Sequence, residues 1–461
     1  MNGPGVTKKL GDAVLSDDSQ GASRMNISRF FRLVAVPGLI PGLAAAGMTL
    51  VPLPAYAQEG IIEASDTGDT ALLLAASLFI LLAALPGLAL FYAGRARTGA
   101  AALLTQTAAV AAAVSLAWIV AGYTLAFGQA TNGWVGGGGA WMLMNLGNVR
   151  AGLTIPESAF ALFQIAFVVL AAAIVPGAWA GRARFGWVVL FMAAWSLSLA
   201  PVMHWLWGGG WLSAAFGTID FAGGLAVELA AGTTALVTAL LMGKGKDFGP
   251  ARREEPAPML ALAGALMAWI GWMALCGGSA FAANDDAASA MISAHAAGCA
   301  GVLARLALDH LQKDAISAGS LSCGLVAGLA GIAPAALYVS PGGAMAIGAM
   351  AALLSALSAD LLRRIGVDDR LDVFALFAVP GAVGALLLAP FMAAPLGGTG
   401  YAEGMDALSQ LAAQGIGVVA VFAWSAIVGT ILALMASVII PMRVTERVEA
   451  AEFDRPGLTG L

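Results

Sequence analysis

Apolar residues run along this chain in long blocks of about 20, separated by short polar or Gly/Pro-containing breaks, with no narrow amphipathic stripe. Eleven such blocks follow Gln58: residues 71–93, 101–123, 159–180, 186–205, 222–242, 259–281, 287–308, 316–338, 343–362, 373–391 and 416–441. A helix of that length, rising about 1.5 Å per residue, crosses a hydrocarbon layer roughly 30 Å thick. The pattern predicts an all-α polytopic membrane protein of eleven transmembrane helices. Asp220 opens the fifth block and Asp372 the tenth, each placed to cap a helix N-terminus. Two blocks that begin alike suggest two five-helix halves plus a final helix. Five is odd, so the second half would be inverted, a topology that often puts a central pathway at the interface of the repeats.

Composition excludes a soluble chain of this length: 60% of the 461 residues are hydrophobic, 11% are charged and the mean hydropathy is +0.87. A net charge of −5 leaves no basic surface for nucleic acid. Cys276, Cys299 and Cys323 lie inside apolar blocks without metal-ligand or CxxC spacing and read as small hydrophobes. The 59 glycines let helices approach closely. Charge placement is more informative than charge total. Taking alternate connections as one side, Arg95, Arg97, Arg182, Arg184, Lys244, Lys246, Arg305, Arg363, Arg364 and Arg443 share a face with the other basic residues, and Arg150 stands alone opposite. That bias predicts a cytoplasmic C-terminus, an outside N-terminus and a cell inner (plasma) membrane location.

Residues 25–57 read as a signal peptide: Arg29 and Arg32, an apolar stretch, then Ala55-Tyr56-Ala57 as a cleavage site. An uncleaved extra helix is the other reading. The expected organisation is an N-terminal extension and signal over 1–57, a membrane domain over 58–441 and a short cytoplasmic tail over 442–461.

Candidate chemistry is sparse. Gly136 to Gly139 lack the Lys-Ser/Thr of a phosphate loop, and neither a metal cluster nor a nucleophile constellation stands out, so enzyme activity and a cofactor are not expected. His204 and His295 read as satisfied interior or interface residues, His310 as a helix-end residue and Gln164 as a polar helix-packing residue. Glu228 differs from all of these, lying about 12 Å along the fifth block from Asp220, near the middle of the apolar slab. An ionisable group at that depth is functional by default.

The stretches "PGLALFYAG" (86–94), "FQIAF" (163–167), "GRARF" (181–185), "HWLWGGGW" (204–211), "DFAGG" (220–224), "WIGWMALCGGSAFAAN" (269–284), "DDRLDVFALFAVPG" (368–381) and "GYAEG" (400–404) occur in one order along the chain. Together they resemble the Amt/Mep/Rh family of ammonium transporters. The resemblance implies a homotrimer with a narrow pore in each subunit, an outer vestibule that recruits ammonium, and a PII-type signalling protein at the cytoplasmic face; the short tail here departs from that last feature. It makes Trp207 and Ser279 the vestibule pair, with Phe163 beside them. Phe167 matches one of two stacked gate phenylalanines, while Leu275 replaces the other. Asp220 matches a structural acid behind the vestibule. At the two central pore histidines this chain carries Glu228 and Phe377, so it lacks both. Three readings of Glu228 stand: a pore carboxyl in the proton or cation path, a cation site in a non-conducting sensor or plugged paralogue, or a structural acid bonded through Thr233, Thr234 or nearby serines. A channel for another small neutral molecule is also open.

Overall fold

The computed structural model describes residues 65–96, 100–129, 133–246, 248–249, 255–312, 316–445 and 449. The signal-peptide reading therefore lies outside the described residues, as does most of the tail. Among the described residues the elements are helical, apart from two isolated bridges, Val149 with Pro156 and Ala183 with Arg443. Among the described residues ten helices are long and apolar enough to span a membrane. They are α1 (Thr67–Arg95), α2 (Ala100–Phe127), α3 (Glu157–Trp179), α4 (Phe185–Phe216, with a break after Trp207), α5 (Gly224–Met242), α6 (Pro258–Gly278), α7 (Asp285–Gln312), α9 (Pro341–Arg364), α10 (Phe374–Phe391) and α11 (Ala407–Ile439). Between α7 and α9 lies α8 (Ala318–Ile332), apolar but only 15 residues long. The eighth block predicted over 316–338 is thus shortened, because the chain leaves helical geometry ahead of Pro334 and continues as turn.

Local chemistry starts these helices where the sequence breaks. Asp66 accepts hydrogen bonds from the Gly68 and Asp69 N–H groups at 2.7 and 2.9 Å, and Asp406 forms a capping box with Ser409. Ser340 caps α9, whose first residue is Pro341, where the missing N–H costs nothing. Close approach does the rest. A Cβ on Gly94 of α1 would collide with the Ala261 backbone of α6, and one on Gly384 of α10 with the Gly331 carbonyl of α8.

The two halves interlock. The end of α8 receives the start of α5, with Phe221 N–H donating to Pro334 O at 3.1 Å and Ala222 N–H to Ala333 O at 2.9 Å. The corresponding end of α3 receives the approach to α10, with Arg370 N–H donating to Ala178 O at 3.1 Å. Third and eighth helices thus swap partners with tenth and fifth, as an inverted repeat requires. Both α5 and α10 open with π-helical turns, Gly224–Leu229 and Phe374–Ala378. Such turns frequently mark functional positions.

Asp220 behaves as expected: its Oδ2 accepts from Leu225 and Ala226 N–H at 3.0 and 2.9 Å. The expectation that Asp372 caps α10 is corrected. Its backbone sits at φ +59°, and its two oxygens take Arg95 and Arg363 at 3.0 and 2.9 Å. Asp369 does the capping, its Oδ2 accepting from Phe374 N–H at 2.7 Å. Two arginines nearby made Asp372 an ion-pair residue, and the equivalent of Asp220 lies three positions earlier.

One face of the bundle collects the basic side chains. Arg182, fully buried, pairs with Asp368 Oδ2 at 2.9 Å and donates to the Ala178, Gly243 and Asp368 carbonyls. The chain after α11 returns to this face. Arg184 N–H donates to Met442 O and Val444 N–H to Arg182 O, both at 2.9 Å, while Arg443 pairs with Glu449 at 2.8 Å. Residues 442–445 are therefore tied down against this face.

Candidate functional site

On the face opposite the arginines, a cavity of about 290 Å³ opens between α3, α4, α6 and the α5 approach. Trp207, Ser279, Phe163 and Phe167 all line it, so three segments far apart in sequence meet in one place. The break after Trp207 and the π-turn of α5 explain the arrangement. Trp207 Nε1–H donates to the Asp220 carbonyl at 2.6 Å while the Asp220 carboxylate caps α5. Asp220 thus fixes both the indole plane and the helix behind it without lining the cavity. Burial pushes its carboxyl up to about 6, against four backbone N–H groups that favour the ionised form. Further along, Gln414 on α11 holds Ile219 through both its amide atoms, donating to Ile219 O at 2.7 Å and accepting from Ile219 N–H at 2.8 Å.

Deeper in, aromatic edges close the cavity. The Phe167 ring lies 4.9 Å from Phe163 and 5.4 Å from Trp207, both edge-on. Leu275 is fully buried one turn before Ser279, whose hydroxyl donates to the Leu275 carbonyl at 2.8 Å. That bond leaves the Ser279 oxygen lone pairs available to an N–H donor. Gln164, expected to serve helix packing, lines the cavity instead, and its Oε1 has no partner. Arg150, which served the sequence reading only for orientation, stands at the rim. Its guanidinium stacks on Phe160 at 4.5 Å and pairs with Glu157 at 2.9 Å, which offsets the positive charge that an entering cation would meet.

Glu228 lies beyond these rings, fully buried, on the π-turn of α5. Its Oε1 accepts from Trp272 Nε1–H at 3.2 Å, and its Oε2 has no partner. Trp272 in turn faces Phe377, with ring centroids 6.4 Å apart. Glu228 and Phe377 therefore flank one indole on α6, a residue that no sequence signal separated from its apolar neighbours. The threonines proposed as partners do not bond to it: Thr234 takes Trp195 Nε1–H at 2.9 Å and donates to Ala230 O at 2.9 Å, and Thr233 Oγ1 has no partner. Replacing Trp272 by Phe keeps an aromatic in the slot and strands both carboxyl oxygens, at a cost of about 1–3 kcal/mol. The unfolding midpoint of the purified variant should fall accordingly; an unchanged midpoint would mean that the indole does not support Glu228.

The histidines stay outside this line. His204 Nδ1 lies 2.9 Å from Ala126 O, His295 stacks on Trp269 at 5.0 Å, and His310 ends α7. All three cysteines are free thiols. Among the described residues no group of three or more His, Cys, Asp or Glu side chains could hold a metal ion.

A family model described as Ammonium Transporter Family matches residues 71–457, nearly the whole of the described chain. The chain belongs to the ammonium transporter family. An ammonium transporter of Aquifex aeolicus is 36% identical over 400 residues, covering 86% of this chain and 92% of that one. One of Bacillus subtilis is 34% identical, covering 84% and 96%. Among solved structures, Candida albicans Mep2 superposes with a TM-score of 0.76 at 29% identity, covering 84% of this chain and 88% of that one. A structure described as a sensor Amt protein gives 0.77 at 25%, covering 83% and 96%. This is a family of transporters, not of enzymes.

Proposed function

We propose that this member of the family moves ammonium across the membrane along the line from the vestibule through Phe167 to Glu228 and Phe377. The observation that carries the reading is the convergence of an indole, a hydroxyl and an unpartnered amide oxygen on one cavity, directly outside a ring of phenylalanines. An indole face attracts a cation through its quadrupole, and Ser279 and Gln164 oxygens accept N–H bonds. Past the rings the path is apolar, which favours ammonia over the hydrated cation and leaves Glu228 to take the proton or the intact cation. The positive-inside bias supports an arginine face in the cytoplasm and a vestibule outside. Within this reading the protein sits in the plasma membrane as a homotrimer with one path per subunit. A PII-type regulator would meet the arginine face, to which residues 442–445 are tied.

Purified protein in liposomes, given an ammonium pulse beside empty vesicles, tests the reading; a wild type with neither current nor ammonia flux would sink it. Trp207→Leu removes the indole face and should raise the half-saturating ammonium concentration about twofold to thirtyfold, the range that a cation–π contribution of about 0.5–2 kcal/mol gives. An unaltered concentration dependence would remove Trp207 from recruitment.

A further inference from the structure

The arginine face holds a second, larger cavity, of about 450 Å³, that the transport reading leaves unused. Its charges are arranged unevenly. Arg95 donates to Glu255, Leu371 O and Asp372, Arg363 to Asp360 and Asp372, and Arg305 to Asp309 and Ser320. These three guanidinium groups are committed to partners. Two lining carboxyl oxygens are not: Glu255 Oε2 and Asp369 Oδ1 are buried and make no hydrogen bond. The unspent capacity of those side chains is thus that of an acceptor, which suits a proton or an N–H-donating cation and disfavours an anion.

Asp369 is the better placed of the two. It is 5% exposed, its Oδ2 is fixed by the Phe374 N–H, and its Oδ1 remains free. It precedes Phe377 by eight positions, as Asp220 precedes Glu228, so the inverted repeat gives each half one buried carboxyl that caps the helix carrying its central residue. We propose that Asp369 is a proton-exchange residue at the cytoplasmic mouth, where ammonia leaving the path takes a proton from its Oδ1. In that step the carboxyl O–H bond breaks, the ammonia lone pair forms an N–H bond, ammonium leaves through the cavity, and water at the cytoplasmic face returns a proton to the carboxylate, leaving hydroxide. The inference rests on the ammonium reading.

The surroundings allow a carboxyl to change its charge there. Burial pushes Asp369 up to about 7, the Asp372 carboxylate adds to the shift, and the Phe374 and Val373 N–H groups and Arg182 oppose it. Tyr92 and Arg95 face it from α1, and Glu255 from the approach to α6. Arg305, Cys323 and Arg363 border the same cavity from α7, α8 and α9, with Asp368, Arg370 and Asp372 on its own loop.

Infrared spectra of the purified full chain, titrated with pH, decide whether the carboxyl exchanges a proton. A protonated-carboxyl band should vanish as pH rises through about 7, be missing in Asp369→Asn and persist in Glu228→Gln. A band that survives Asp369→Asn, or none in wild type, overturns the proposal. Asn can still accept the Phe374 N–H, so the cap survives; if that variant does not fold, Asp369→Glu must shift the titration. In liposomes the ammonium current should depend on internal pH severalfold in wild type and stay flat in Asp369→Asn, and an unchanged dependence also overturns the proposal. A wild type with neither current nor ammonia flux fails the ammonium reading, and the infrared titration still decides whether the Asp369 carboxyl exchanges a proton.

Discussion

Glu228→Ala should reduce the sustained ammonium-evoked current of reconstituted protein by at least tenfold, an effect of about 1.4 kcal/mol or more. Wild type carries there a carboxyl with one oxygen held by Trp272 and the other free, in a surround of Phe377 and apolar helix faces. Alanine can neither accept a proton nor compensate a cation, and Phe377 cannot substitute for it. If charge moves with ammonium, its path is cut; if only neutral ammonia crosses, flux measured by a trapped pH reporter continues while the current does not. Glu228→Gln sharpens the comparison, since it keeps the shape and the hydrogen bond to Trp272 but loses the titration. Equal currents in wild type and both variants would take Glu228 out of the path.

The largest effect on stability should come from Arg182→Ala. The guanidinium is completely buried among three carbonyls and the Asp368 carboxylate, whose Oδ2 also accepts from Gly245 N–H at 2.7 Å. Removing one member of such a pair leaves an uncompensated buried charge and costs about 3–5 kcal/mol. Arg182→Lys should recover little of this, because an ammonium cannot reproduce the planar fork that meets several carbonyls at once. Removing both charges, as Arg182→Met with Asp368→Leu, should cost less than Arg182→Ala alone. Unfolding midpoints of the purified variants in one detergent check the order, and equal midpoints for wild type and Arg182→Ala would show that the pair holds nothing together.

Most of the membrane plan can be read from the chain because hydrocarbon imposes a length on apolar runs and a sign on their flanks. Where a backbone event rather than a composition set the boundary, the reading slipped. The shortening of α8 arises where its end turns to receive the α5 start, a contact remote in sequence. That Trp207 and Ser279 share one cavity was legible because the motifs that carry them resemble those of a family in which they pair. Trp272 was not, since an indole among apolar helix residues shows its hydrogen-bond donor only when a partner is placed beside it. Gln164 was misjudged for the converse reason: a lone polar residue on a helix does not declare which side it faces. The choice of Asp372 over Asp369 followed from sequence adjacency to the helix, whereas the cap depends on where two arginines arrive from α1 and α9.

The exchange of partners between the helix ends has a mechanical consequence. Each half grips the segment leading into the other's fifth helix, so tilting one half against the other would pull open both grips together. A machine built this way is poorly suited to presenting a site first to one side and then to the other by rocking. Its solute would cross a stationary scaffold by small side-chain displacements, and throughput would be set by how fast rings such as Phe167 step aside.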